Sequence, residues 1–130
     1  MVKEISVNSS TREEMINIDP VVAEFIRDSK VREGVLTIFV PHTTAAVTIN
    51  ENADPSVVCD IIKGLQTMIP KRAGYTHSEG NSDAHIKASL IGHSERLIVS
   101  SGRLLLGTWQ SLYFCEFDGP RTRRIFLHIQ

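Results

Sequence analysis

Two runs rich in aromatic and β-branched side chains, TWQSLYFCEFD (108–118) and RTRRIFLHIQ (121–130), close the chain and meet around Asp118-Gly119. Asp-Gly between two such runs is a strong short-range hairpin signal, so a terminal antiparallel pair is expected. RLIVS (96–100) and RLLLG (103–107) precede it as further strands. At the other end, VKEISVNS (2–9) and EEMINID (13–19) alternate as two strands, and a hairpin through Ser9 to Arg12 would join them. VLTIFVP (35–41) and TTAAVTINE (43–51) add a β-branched pair separated around Pro41 to Thr43.

Between these runs the period changes to three and four residues. Asp19-Pro20 and Asp54-Pro55 each supply an N-cap and a proline at the first helical position, predicting helices over about 20–30 and from 55 to Pro70. A third helix begins at Ser82 or Asp83, carries Ile86, Leu90 and Ile91, and stops at Gly92. Residues 70–82 follow neither period and read as a long loop. Three helices among antiparallel strands predict an α+β fold, a mixed and mainly antiparallel sheet or sandwich, and not a doubly wound parallel sheet.

A chain of 130 residues with 42% hydrophobic side chains suits a single domain over 1–130 that needs no disulfide or structural metal. Its net charge of −1 provides no basic field for nucleic acid or an anionic membrane, so an anion site has to be local. No run approaches the roughly 20 apolar residues of a membrane span. With no apolar leader after Met1 and no C-x-x-C pair from Cys59 and Cys115, a cytoplasmic location is expected.

The chemistry concentrates in THSEGNSDAHIKAS (76–89). A glycine and short polar residues lead into a helix whose first-turn N–H groups lack intrahelical partners. Gly80, Asn81 and Ser82 would therefore cradle a phosphate or carboxylate, although plain capping by Ser82 or Asp83 accounts for the same residues. Of five histidines, His42, His77 and His85 stand at element ends, and three imidazoles meeting in space would hold a divalent ion, zinc or magnesium. In that case Glu79 or Asp83 would activate water. Arg121, beside the turn, suits a bidentate phosphate contact, while Trp109 is expected half-buried in the core or stacked on a heterocycle. Along HTTAAVTINEN, His42 and Asn50 lie eight residues apart, roughly 26 Å in a straight strand, so they cannot share one first shell. A bend near His42, separate sites, or a neighbouring subunit would each resolve this.

PHTTAAVTINENADPSVVCDI, HSEGNSDAHIKASLIG and GRLLLGTWQSLYFCEFDGPRTRR resemble the three signature blocks of the YjbQ family, small proteins linked to thiamine-phosphate synthase activity. The resemblance implies an α+β fold assembled as a homotrimer, with a polar pocket of histidines and acids. It adds Thr43, Thr44, Asn50 and Gln110 as substrate-binding candidates, beside the residues already named.

The expected activity is a transferase joining a hydroxymethylpyrimidine pyrophosphate to a thiazole phosphate. Arg121 and the N–H groups after Asn81, with a divalent cation, would neutralise the leaving pyrophosphate. Trp109, Glu51 or Glu116 would favour a carbocation-like pyrimidine. Two other readings use the same residues: a metal-dependent hydrolase of a phosphorylated small molecule with His42, His77 and His85 on the ion, and a trimeric metabolite-binding protein that turns nothing over.

Overall fold

The structure, a computed structural model, describes residues 1–130. In chain order its elements are β1 (Val2–Asn8), β2 (Glu14–Asn17), α1 (Asp19–Ser29), β3 (Gly34–Phe39), β4 (Ala45–Glu51), α2 (Pro55–Met68), α3 (Ser82–Ile91), β5 (Ser94–Ser100), β6 (Arg103–Leu104), β7 (Gln110–Glu116) and β8 (Thr122–Ile129). They build a five-stranded sheet in the order β1-β8-β3-β5-β6 and a three-stranded sheet in the order β2-β7-β4. All pairings are antiparallel, so the α+β class holds.

Neither expected terminal hairpin forms. β7 pairs with β2 and β4 in the small sheet, whereas β8 pairs with β1 and β3 in the large one. A two-residue Asp118-Gly119 turn would be closed by the N–H of residue 120, and Pro120 has none. Instead the chain crosses from one sheet to the other at this point, and the β1–β2 connection crosses beside it. Ser9 N–H donates to the Arg121 carbonyl at 3.0 Å and Gly119 N–H to the Arg12 carbonyl at 2.9 Å. The two crossings therefore form one bent antiparallel ribbon. Glycine is required at 119, because a Cβ there would strike the Thr11 carbonyl and the Ser9 hydroxyl.

The main core lies between the two sheets. From the large sheet it receives Leu36 and Ile38 of β3, Leu97 and Val99 of β5, and Ile125 and Leu127 of β8. Val47, Leu112 and Phe114 face it from the small sheet, and Val22, Phe25 and Ile26 from α1. A second cluster covers the other side of the small sheet, where Ala46, Tyr113, Cys115 and Phe117 meet Leu65 of α2 and Ala84 and Ala88 of α3. With both faces covered, Ala45, Ala46 and Val47 are all buried. Burial also pushes the Cys115 thiol up to about 12, so it packs as a small apolar group.

Two local expectations change. Asp19 is not a cap: Ile18 holds the N-cap position of α1 without a side-chain bond, and the Asp19 carboxylate accepts Leu112 N–H at 2.8 Å, tying the helix start to β7. Asp54 does cap α2, accepting Ser56 N–H at 2.9 Å. The second change is in α3, whose buried face is Asp83, Ala84, Lys87 and Ala88, leaving Ile86 and Leu90 exposed. Ions and alanines set its orientation, not the branched residues that made it legible as a helix. No helix is long and apolar enough to cross a membrane.

Candidate functional site

The site lies where β3 gives out. β3 pairs with β8 as far as Phe39 opposite Phe126, and the chain then turns away through Val40 and Pro41. Two residues along β8, His42 takes over the ladder: its Nε2 lies 3.0 Å from the Arg124 N–H and 3.2 Å from the Arg124 carbonyl. Burial, followed by the nearby Arg123 charge, holds this imidazole below its ordinary value, which favours the neutral ring. Only Nδ1 is left to serve a ligand.

His77 and His85 come from the loop before α3 and from its first turns. Their rings stand edge to face, with centroids 5.6 Å apart and planes at 87°. Glu79 Oε1 is 3.9 Å from His77 Nε2. Asn81, and not Ser82 or Asp83, occupies the N-cap position of α3, without a side-chain bond to the helix. Its Nδ2 donates instead to Asp118 Oδ2 at 2.8 Å, while its own Oδ1 is buried without a partner. Arg121 grips the same aspartate, Nη2 to Oδ2 at 3.0 Å and Nε to the carbonyl at 3.0 Å.

These groups, with Thr43, Thr44 and Arg123, line one open pocket of about 490 Å³ that no hydrophobic residue enters. Of the residues singled out in the sequence, it therefore unites His42, Thr43, Thr44, His77, Glu79, Asn81, His85 and Arg121. Gly80 lines an adjoining depression that shares His77 and Glu79. Ser82 begins α3 but lines neither.

Other candidates are placed elsewhere. Asp83 is fully buried, receiving Arg12 at 2.9 and 3.1 Å and Lys87 at 3.0 Å. Burial alone would raise its carboxyl, but these partners outweigh burial and hold it below the ordinary range. Glu116 is also fully buried; burial raises its carboxyl, but Arg123, Ser9 and the Asp118 N–H more than offset this. Neither is free to act as a base, which corrects their expected catalytic role. Asn50, Glu51, Trp109 and Gln110 lie at the far end of the small sheet, where Glu51 pairs with Gln110, Asn50 with Ser111, and Trp109 C=O accepts Asn52 N–H. The six steps of β4 place that end about 20 Å from Ala45, where the strand leaves the histidine pocket. Trp109 is 62% exposed, so it is not the half-buried core residue expected.

Asp118 and Arg123 belong to the site as well, although the sequence alone assigned neither a role in it. Both fall in the charged cluster FDGPRTRR, whose solvated appearance conceals that Arg123 is buried on Glu116 and on Thr44 Oγ1, at 2.8 Å. A metal fits the three histidines poorly. No three His, Cys, Asp or Glu side chains group closely enough to hold an ion, and His42 Nε2 is already engaged.

The pattern of the YjbQ-like UPF0047 proteins matches residues 3–130. Among relatives, the UPF0047 protein MJ1081 of Methanocaldococcus jannaschii is 52% identical, over 99% of this chain and 94% of its own length. YugU of Bacillus subtilis is 45% identical over 98% of this chain and 97% of its own. The fold superposes on a solved YjbQ/UPF0047 protein from Clostridium acetobutylicum with a TM-score of 0.96 at 49% identity, covering 98% of this chain and 99% of that one. It also superposes on a protein of unknown function from Sulfolobus solfataricus with a TM-score of 0.94 at 30% identity, covering 99% and 95%. Agreement in pattern, identity and backbone over nearly the whole length means that this chain belongs to the YjbQ-like UPF0047 family.

Proposed function

We propose that the histidine pocket carries a transferase reaction of the thiamine-phosphate synthase type, joining a hydroxymethylpyrimidine pyrophosphate to a thiazole phosphate. The resemblance supplies the substrate pair. The location rests on one observation, the edge-to-face His77–His85 pair in a pocket lined only by polar groups and Pro41. The methylene–oxygen bond breaks with its electron pair leaving on the pyrophosphate, and the thiazole nitrogen lone pair forms the new carbon–nitrogen bond. No proton has to move, so the side chains position and stabilise charge. Ring N–H groups of His77 and His85 donate to the departing pyrophosphate, and Glu79 faces the positive charge developing on the methylene carbon.

Losing one such donor costs about 10²–10³ in rate. His85→Ala should therefore reduce thiamine phosphate formation about a hundredfold or more, with a melting temperature close to that of the parent. Unchanged turnover in the variant, or failure of the parent expressed at a low level to support a thiamine auxotroph, sinks this reading.

We also propose a homotrimer, which would bring the Trp109–Glu51 end of one copy to the histidine pocket of the next. Phe39 and Ile98, on the outer face of the large sheet, are exposed, as are Leu105 and Trp109 after β6, and such apolar surface favours association. Light scattering should return about three times 14.5 kDa. A monomer mass would remove both the trimer and the shared pocket.

A further inference from the structure

We propose that Lys71 and Arg72, not Arg121, hold the outer phosphate of the substrate, leaving the reacting carbon and the phosphate bonded to it between His77 and His85. The inference rests on the transferase reading for the identity of the reacting end alone.

Charge pairing carries the argument. Within the histidine pocket both arginines already have carboxylate partners, Arg121 on Asp118 at 3.0 Å and Arg123 on Glu116. A phosphate drawn to Arg121 would sit against the Asp118 carboxylate, and like charges at that range oppose binding. Arg123 is buried and fully engaged by Glu116 and Thr44. The pocket thus contains no unpaired arginine or lysine.

The adjoining depression, about 380 Å³, contains two. Lys71 and Arg72 line it and form no ion pair and no side-chain hydrogen bond. Its wall is the 70–80 loop, closed on itself where Tyr75 Oη donates to the Pro70 carbonyl at 2.8 Å. Gly74 and Gly80 allow that closure, with φ of +71° and +75°. Because His77 and Glu79 line both spaces, the two are lobes of one groove. A guanidinium and an ammonium at one end suit a di- or monophosphate, and Tyr75 adds a ring and a phenol to the same wall. The ligand class that fits is a small-molecule diphosphate ester whose outer phosphate meets Lys71 and Arg72 and whose inner phosphate and reacting carbon reach the histidines.

Inorganic pyrophosphate is the probe, titrated calorimetrically into the parent, the double variant Lys71→Gln/Arg72→Gln and Arg121→Gln, with thermal melts of all three. The double variant should bind at least about tenfold more weakly, since charge-assisted hydrogen bonds are lost at two exposed positions that the fold does not use. Arg121→Gln should stay within about threefold of the parent. Parent affinity should fall as salt rises. Loss confined to Arg121→Gln, equal affinity of parent and double variant, or no pyrophosphate binding by the parent would overturn the assignment. If pyrophosphate binding follows the expected pattern while His85→Ala retains full turnover, the anion lobe stands and the transferase reading alone falls.

Discussion

Asp83→Ala should lower the free energy of unfolding by about 3–5 kcal/mol, because it removes one member of a buried ion cluster and strands the others. Asp83 is fully buried and Lys87 is only 1% exposed, and they pair one turn apart on α3 at 3.0 Å. Arg12 reaches the same carboxylate from the β1–β2 connection, and Lys87 also reaches Glu13 at 3.2 Å. Without Asp83, a buried ammonium depends on Glu13 alone. Urea unfolding followed by circular dichroism measures the loss, and a change below about 1 kcal/mol would show that the cluster does not anchor the helix. The effect should extend to the pocket, since α3 carries His85 and starts from Asn81.

A comparable loss, about 3–5 kcal/mol, is expected for Glu116→Gln, which keeps the shape but leaves the Arg123 guanidinium buried without a counter-charge. This variant also has a pH signature. The folded Glu116 carboxyl lies below its ordinary value of 4.5, so its contribution is complete above that pH and disappears as pH falls through the lower folded value. Asp83 behaves alike from 3.8 downward. In unfolding titrations between about pH 7 and pH 3, the parent should therefore lose more stability on acidification than Glu116→Gln. Parallel curves would mean that Glu116 is not ionised and paired in the folded protein.

These ion pairs mark the border of what was legible in the sequence. The helices were legible because apolar residues recur at three and four positions behind Asp-Pro or ahead of Gly92, and each forms close to its expected bounds. Much of the pocket was legible as well: His42, His77, Glu79, Asn81, His85 and Arg121 stand at element ends, where side chains stay accessible. Asp83 and Glu116 misled because a carboxylate in a motif looks the same whether it faces substrate or a buried cation. Their partners Arg12 and Arg123 are 71 and 7 residues away in the chain, and only the first separation crosses elements that no local pattern connects.

Local sequence determined where the helices begin and end, since caps, prolines and apolar period act within a few residues, whereas the strand expected over 103–107 forms only at Arg103–Leu104. Tertiary structure alone decided which sheet each strand joined. Asp118-Gly119 looked like a hairpin, yet Pro120 lacks the closing N–H, and the Ser9–Arg12 segment supplies the competing partners that draw β7 and β8 into different sheets. The same holds for the face that α3 buries. The apolar residues of α3 define no single face in isolation, but a bidentate arginine from the other end of the chain turns Asp83 and Lys87 inward, and an ion pair kept from water governs orientation more strictly than Ile86 and Leu90 do.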